Sequence, residues 1–127
     1  MTTTATATMT TKEIAQRLKK LCEAGEFEKA QKELFSKDAI SIEPEASQAF
    51  AKETHGLDGI LEKGEKWMAM VAETHALEVS SPVVAGNSFA VSMRMDVTMK
   101  DKQRMDMTEL CVYHVKDGKI ISEQFFM

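Results

Sequence analysis

Acidic and basic side chains recur on segments of the sequence that alternate between polar and apolar residues, as strands do. Glu43 stands directly before Pro44, where one such segment stops, and Glu123 lies on the last one. Arg94 and Asp96 are alternate residues of a third segment and would share one face of its strand. In a dry pocket these residue types suit acid–base chemistry, because burial moves the pKa of a carboxyl towards neutrality. On a solvent-exposed face they would form ordinary ion pairs.

Histidines and cysteines do not form a metal-binding pattern. The histidines show no HxxxH or HExxH spacing, and Cys22 and Cys111 show no CxxC spacing, so the two cysteines are expected to be buried free thiols. The chain also has no glycine-rich phosphate loop. We therefore predict neither a metal nor a cofactor. His55, which precedes a long helical segment, is placed to reach over the mouth of a pocket as a ligand contact.

Helical and strand-like segments must position these side chains. Apolar residues at helical spacing predict helices over residues 12–24 and 26–35, and a longer helix that Gly56 opens. Beyond the long helix the period changes to two, and Asp117-Gly118 is typical of a type I′ hairpin turn. The pattern predicts one α+β domain in which helices cover the concave face of a strongly bent antiparallel sheet and leave room for a pocket.

Composition and charge narrow the class of protein. The chain has 127 residues, of which 43% are hydrophobic and 28% charged, as is ordinary for one globular domain. A net charge of -4, with basic and acidic residues interleaved, argues against a nucleic-acid partner. Residues 1–11 are a Thr/Ala run without the features of a signal peptide or a membrane span. We predict a disordered or flexible tail over residues 1–11, a domain over residues 12–127, no membrane contact and a cytoplasmic location.

The hairpin turn predicts which residues of the last two strands share a face. A two-residue turn at Asp117-Gly118 pairs Val112 with Glu123 and Leu110 with Phe125. Opposed residues of a hairpin point to the same side of the sheet. Glu123 and Phe125 are therefore predicted to share a face with Val112 and Leu110.

Three local motifs occur in a characteristic order: Gly25-Glu-Phe, Asp38-Ala-Ile-Ser-Ile-Glu-Pro44 and Asp117-Gly-Lys-Ile. With the order of the predicted elements, they resemble the nuclear-transport-factor-2-like superfamily and, within it, the SnoaL-like branch. The resemblance covers residues 12–127 and implies a cone-like fold. Members of the superfamily include isomerases, cyclases, hydrolases and non-catalytic modules, so the resemblance implies the fold more closely than the chemistry.

The resemblance to ketosteroid isomerases implies a catalytic role for Glu43. In those enzymes the carboxylate at this position is the general base. Their hydrogen-bond donors would fall near Leu18 and Leu110, which cannot supply them. Steroid isomerisation is therefore not expected.

Arg94-Met-Asp96 resembles the Arg-x-Asp of limonene epoxide hydrolases. The resemblance implies a catalytic role for Asp96, which the arginine would hold charged. The second acid of those enzymes would fall near Phe125, and Glu123 is the nearest acid on the same face. Epoxide hydrolysis would thus need Glu123 as a substitute.

Two faces of the sheet compete for the pocket. The superfamily alignment, which we favour, predicts a pocket that receives Ser92, Arg94, Asp96, Thr108, Leu110, Val112, His114, Glu123 and Phe125. The methionine-rich face would then lie outside, where a second subunit would bury it. In the alternative the helices cover the methionine-rich face, which consists of Met93, Met95, Met99, Met105 and Met107. Arg94 and Asp96 would then be a solvated pair.

These observations predict a SnoaL-like protein that binds a small, apolar or polycyclic molecule in a cone-shaped pocket. Acid–base isomerase, cyclase or hydrolase activity is the first hypothesis, in a homodimer formed through the outer sheet face. The alternative is a non-catalytic ligand-sensing or homodimerisation module of the same fold. Acids that converge on a cavity with perturbed pKa values would favour the first hypothesis.

Overall fold

The computed structural model describes residues 8–127, which form three helices and seven strands. In chain order these are α1 (Thr11–Glu23), α2 (Phe27–Leu34), β1 (Phe35–Ile42), β2 (Glu53–His55), α3 (Leu57–Met70), β3 (Val71–Val79), β4 (Val83–Ala85), β5 (Ser88–Met99), β6 (Arg104–Lys116) and β7 (Lys119–Phe126). Residues 1–7, most of the predicted tail, lie outside the described residues. None of the helices in residues 8–127 has the length and apolar character that a membrane span requires.

Helix α1 begins and ends at recognisable local signals. The backbone N–H of Glu13 donates to Thr10 Oγ1 at 3.1 Å, and the backbone N–H of Thr10 donates to Glu13 Oε1 at 2.8 Å, which is a capping box. Beyond the helix Gly25 has a φ of +76°, a left-handed conformation that glycine adopts without strain. Between these ends Ile14 and Leu18 belong to a buried stripe. That stripe packs α1 onto the sheet.

The strands form one sheet in the order β2-β1-β7-β6-β5-β3, with β4 also paired to β5. The predicted α+β domain, with helices over a bent sheet, is confirmed. The sheet is mixed, because β1 and β7 run parallel while the other neighbours run antiparallel. A parallel pair needs a long connection, and residues 43–118 supply it.

One extra residue in β7 changes the register that the hairpin turn predicts. Val112 was expected opposite Glu123, but Ile121 is bulged and Tyr113 pairs with Glu123 instead. The pairing of Phe125 shifts in the same way, from Leu110 to Cys111. Because side chains alternate between faces, a shift of one residue turns Glu123 and Phe125 away from the face of Val112. The predicted register beyond the turn is therefore wrong.

The helices cover the face that carries the odd-numbered residues of β5 and β6. Its buried members on these strands are Phe89, Val91, Met93, Val97, Met99, Cys111, Tyr113 and Val115. The methionine-rich face is therefore the inner face, and the favoured assignment of the faces is wrong. A methionine stripe can pack against helices or against a second subunit, so composition alone does not distinguish the two.

Candidate functional site

A cavity of about 290 Å³ lies between the helices and the inner face of the sheet. Its walls are mainly apolar and include methionines and aromatic side chains from helices and strands. Four charged side chains also line it: Glu43, Lys63, Glu109 and Glu123. A largely apolar cavity with a few convergent polar groups is the usual form of a small-molecule site.

Hydrogen bonds join three of these charged groups through Ser41. Ser41 Oγ donates to Glu123 Oε2 at 2.7 Å. Lys63 Nζ donates to Ser41 Oγ at 2.7 Å and to Glu43 Oε2 at 2.7 Å. The parallel pairing of β1 and β7 sets Ser41 opposite Glu123, and α3 carries Lys63 towards both. We call Ser41, Glu43, Lys63 and Glu123 the polar corner of the cavity.

Glu123 is a buried acid with its proton affinity raised. The residue is only 5% exposed, and burial raises the pKa of its carboxyl to about 7. The hydrogen bond from Ser41 and the charge of Lys63 lower that pKa, while the Glu43 carboxylate raises it. Because Glu43 contacts Lys63 directly, the ammonium charge is largely compensated. The carboxyl of Glu123 is therefore present in both its protonated and its ionised form around neutral pH.

Glu109 lines the same cavity from β6. Burial, together with the charges of the nearby Glu43 and Glu123, raises the pKa of its carboxyl to about 7. Lys63 opposes this shift. Within residues 8–127 the carboxyl of Glu109 has no hydrogen-bond or ion-pair partner in the protein. Its oxygens are thus available to a molecule in the cavity.

Two cysteine thiols and a tyrosine phenol near the cavity are neutral around pH 7. Burial raises the pKa of the Cys22 thiol to about 12 and raises the pKa of Cys111 further. The pKa of the buried Tyr113 phenol also lies well above its usual value, and its ring stacks on Phe89 with the centroids 4.8 Å apart. Proton transfer near neutral pH at this cavity therefore falls to carboxyl groups.

The sequence and the arrangement of its elements match a known protein family. A family profile described as SnoaL-like domain matches residues 9–127. The chain belongs to the SnoaL-like family.

Solved structures resemble this SnoaL-like domain over nearly its whole length. A SnoaL-like protein of Mesorhizobium loti, provisionally assigned as a polyketide cyclase, is 32% identical with a TM-score of 0.85, covering 94% of this chain and 100% of its own. A protein of unknown function with a cystatin-like fold from Xanthomonas campestris is 19% identical with a TM-score of 0.79, covering 93% and 90%. TerC, co-crystallised with polyporic acid, is 14% identical with a TM-score of 0.75, covering 92% and 90%. No curated protein matches the sequence.

The SnoaL-like domain brings together only part of the predicted site. Of the predicted residues, Glu43, Glu123 and Phe125 line the cavity. The helices cover the opposite face from the one that was favoured, so the remaining strand residues predicted to line the cavity do not reach it. These residues lie on the outer face of the sheet: Ser92, Arg94, Asp96, Thr108, Leu110, Val112 and His114.

Arg94 and Asp96 are engaged by other partners on the outer face. Arg94 donates to Asp106 at 3.0 and 2.9 Å, and Arg104 donates to Asp96 at the same two distances. Arg94 approaches Asp96 only to 3.8 Å. The side chain of Asp96 is 8% exposed because Arg104 covers it, although it does not enter the core. Since Arg104 holds the pKa of Asp96 below its usual value, Asp96 is a fixed charge outside the cavity.

His55 does not reach the cavity either. It lies on β2 with its side chain 66% exposed, and its Nε2 is 3.1 Å from Glu53 Oε1. The prediction that it covers the pocket mouth is wrong, because the short strand β2 pairs with β1 at the edge of the sheet. Among residues 8–127 no three His, Cys, Asp or Glu side chains are grouped as a metal site requires.

Sequence reasoning missed three polar residues that line or support the cavity. Glu109 interrupts the otherwise apolar alternate positions of β6, and this single charge in an apolar stripe is a usable signal. Lys63 stands one turn after the buried Ile60, on the inner side of α3. Ser41 gives no comparable signal, because a serine in a strand is common on either face.

Proposed function

We propose that this SnoaL-like domain binds a small, largely apolar carbonyl compound and moves a proton on it, in an isomerisation or a ring closure. One observation carries the proposal. Glu109 and Glu123 line the same apolar cavity, and burial raises the pKa of each to about 7. A group whose pKa lies near the working pH is present in both forms, so it can give a proton as readily as it takes one.

Burial suggests how the two carboxyls divide the work. Glu123 is the more deeply buried, and in its protonated form it would donate a hydrogen bond to the carbonyl oxygen of the ligand. Glu109, half-buried and without a protein partner in residues 8–127, would be the base. The C–H bond next to the carbonyl breaks, its proton goes to the Glu109 carboxylate, and the electron pair moves to the carbonyl oxygen. Return of the proton to another carbon completes an isomerisation.

The remaining members of the polar corner would act as positioning residues. Lys63 holds the hydroxyl of Ser41, and Ser41 orients one oxygen of Glu123. Glu43, predicted as the catalytic base, is instead bound by Lys63 at 2.7 Å. Epoxide hydrolysis receives no support, because Arg94 and Asp96 lie outside the cavity. An isomerase or cyclase is therefore the better proposal.

Aromatic surfaces in the cavity favour a flat ligand. Trp67 and Phe125 line it, and Lys63 Nζ lies 5.5 Å from the centroid of the Phe125 ring. Two relatives also point towards aromatic ligands, since TerC was crystallised with polyporic acid and the Mesorhizobium loti protein is provisionally a polyketide cyclase. A bicyclic ketone is thus a suitable first probe.

Hydrogen–deuterium exchange at a ketone tests the proposal without a known substrate. We expect the protein to accelerate deuterium uptake by 2-tetralone in D₂O, measured by mass spectrometry. Glu109→Gln should lower the catalysed rate about 10²- to 10⁴-fold, because the base is lost while size is kept. Glu123→Gln should also lower it, by removing the carboxylic acid donor.

Glu78→Gln is the matched control for this experiment. This substitution makes the same carboxyl-to-amide change on the outer face, where the Glu78 side chain is 67% exposed. It should therefore leave the exchange rate unchanged. Uptake no faster than in buffer, or uptake that survives Glu109→Gln, would contradict the proposed chemistry.

A second copy of the chain is the partner we propose for the outer face. Leu110 and Phe126 are paired there and are 44% and 46% exposed, and Val83 on the same face is 72% exposed. Exposed apolar residues on one sheet face are typical of an interface between subunits. We expect a dimer by light scattering coupled to size exclusion, and a monomer after Leu110→Glu. A wild-type monomer at high concentration would refute this assembly.

A further inference from the structure

A second cavity, of about 400 Å³, lies beyond the first, where α1 turns into α2 opposite the edge strand β3. The proposed chemistry does not use it. Leu77 and the fully buried Val97 are among its inner residues. Exposed polar residues, Glu23 and Thr74, stand at its rim. The cavity thus presents polar as well as apolar surface, and the apolar residues lie at its inner end.

The two cavities are separated by side chains that line both of them. We call these residues the shared wall: Phe27, Trp67, Met68 and Met95. Methionine is unbranched and changes rotamer easily, so Met68 and Met95 can move without a change in the backbone. Met68 is also 48% exposed, which leaves it little packing to lose. The wall can therefore yield to a ligand that occupies both cavities.

The polar corner and the second cavity lie towards opposite ends of the sheet. Ser41 and Glu123 belong to the neighbouring strands β1 and β7, whereas the second cavity borders β3 at the far edge. A molecule with its carbonyl group at Glu109 and Glu123 would cross the strands towards β3. Its far end would meet the shared wall.

We propose that the two cavities form one site for an elongated ligand: an aryl ketone whose apolar tail passes the shared wall and ends in the second cavity. This inference rests on the proposed function, which places the carbonyl group at the two buried carboxyls. It adds that the substrate is longer than a compact bicyclic ketone, and that its tail contributes much of the binding.

A series of 4′-alkylacetophenones tests the inference by isothermal titration calorimetry. Each member carries the same methyl ketone on a benzene ring and a longer tail opposite it. We expect affinity to rise about fourfold per added methylene while the tail gains burial, the increment typical of a buried CH₂ group. The gain should continue into the longer members, whose tails pass the shared wall.

Thr74→Trp should remove the gain from the longer tails. Thr74 pairs with Val97, so a tryptophan there fills the second cavity, and aromatic residues suit an edge strand. The affinity of the methyl member should stay unchanged. Glu73→Trp is the matched control, because Glu73 pairs with Thr98 on the outer face and is 68% exposed. That variant should bind the whole series as the wild type does.

The outcomes separate this inference from the proposed function. If the methyl member binds but tail length brings no gain, or if the gain survives Thr74→Trp, the elongated-ligand inference is wrong while the proposed chemistry stands. If no member binds and 2-tetralone exchanges no faster than in buffer, both are wrong. A length-dependent gain that only Thr74→Trp abolishes supports the single elongated site.

Discussion

Replacing Glu123 with glutamine should make the free energy of unfolding less sensitive to rising pH. The carboxyl of Glu123 has its pKa raised by burial from 4.5 to about 7. Between these values the folded state holds a proton that the unfolded state has released, so stability falls as pH rises. A tenfold change in proton affinity is worth about 1.4 kcal/mol, and the full penalty above pH 7 is therefore about 3 kcal/mol. Most of it, about 2 kcal/mol, develops between about pH 5 and pH 8.

Glu123→Gln keeps the size of the side chain and an oxygen that accepts from Ser41, but it cannot ionise. Urea unfolding should therefore show the variant gaining about 2 kcal/mol on the wild type between about pH 5 and pH 8. Glu78→Gln, with an exposed side chain, should keep the same difference from the wild type at both pH values. A Glu123→Gln difference that does not change with pH would refute the assignment of a buried carboxyl with a raised pKa.

Three other perturbations test separate parts of the structure. Lys63→Met should destabilise the fold by about 2 kcal/mol in urea unfolding, because the Ser41 hydroxyl and the Glu43 carboxylate lose their common donor. An unchanged stability would contradict the hydrogen bonds of the polar corner. Arg104→Ala should raise the pKa of Asp96, read by carbon NMR titration, since the guanidinium is the main cause of its lowered value; deuterium exchange with 2-tetralone should not change. Cys22 and Cys111 should react with a thiol reagent only after unfolding, because burial keeps both protonated; rapid labelling of the native protein would argue against that burial.

The helices and the last hairpin were predictable because each has a strong local signal. The capping residue Thr10 and the glycine at position 25 mark the ends of α1, and the turn at Asp117-Gly118 sets the last hairpin. The family resemblance rests on the same local signals. They depend on residues a few positions apart, which a sequence displays directly.

The site was less predictable because it depends on register. A bulge at Ile121 has no distinct sequence signal, yet it decides which face receives Glu123. The methionines of β5 suit either face, so they did not correct the error. Glu109 was visible in the sequence as an isolated charge in an apolar stripe. It lines the cavity only because the methionine-rich face, to which it belongs, is the inner face. Which face lines the cavity depends on how distant strands and helices pair and pack. Residue type alone did not distinguish that face from the one we had favoured.

The hydrogen bond between Ser41 and Glu123 joins residues 82 positions apart in the chain. Closing so long a loop is entropically costly, so we expect this contact to form late in folding. The helices and the β5–β6 hairpin can assemble from neighbouring segments, whereas the polar corner must wait for β7 to dock beside β1. Until that strand arrives, Glu123 remains in water with an ordinary proton affinity. We therefore expect the acid of the proposed site to gain its raised proton affinity only when β7 docks beside β1, and partly folded chains to lack it.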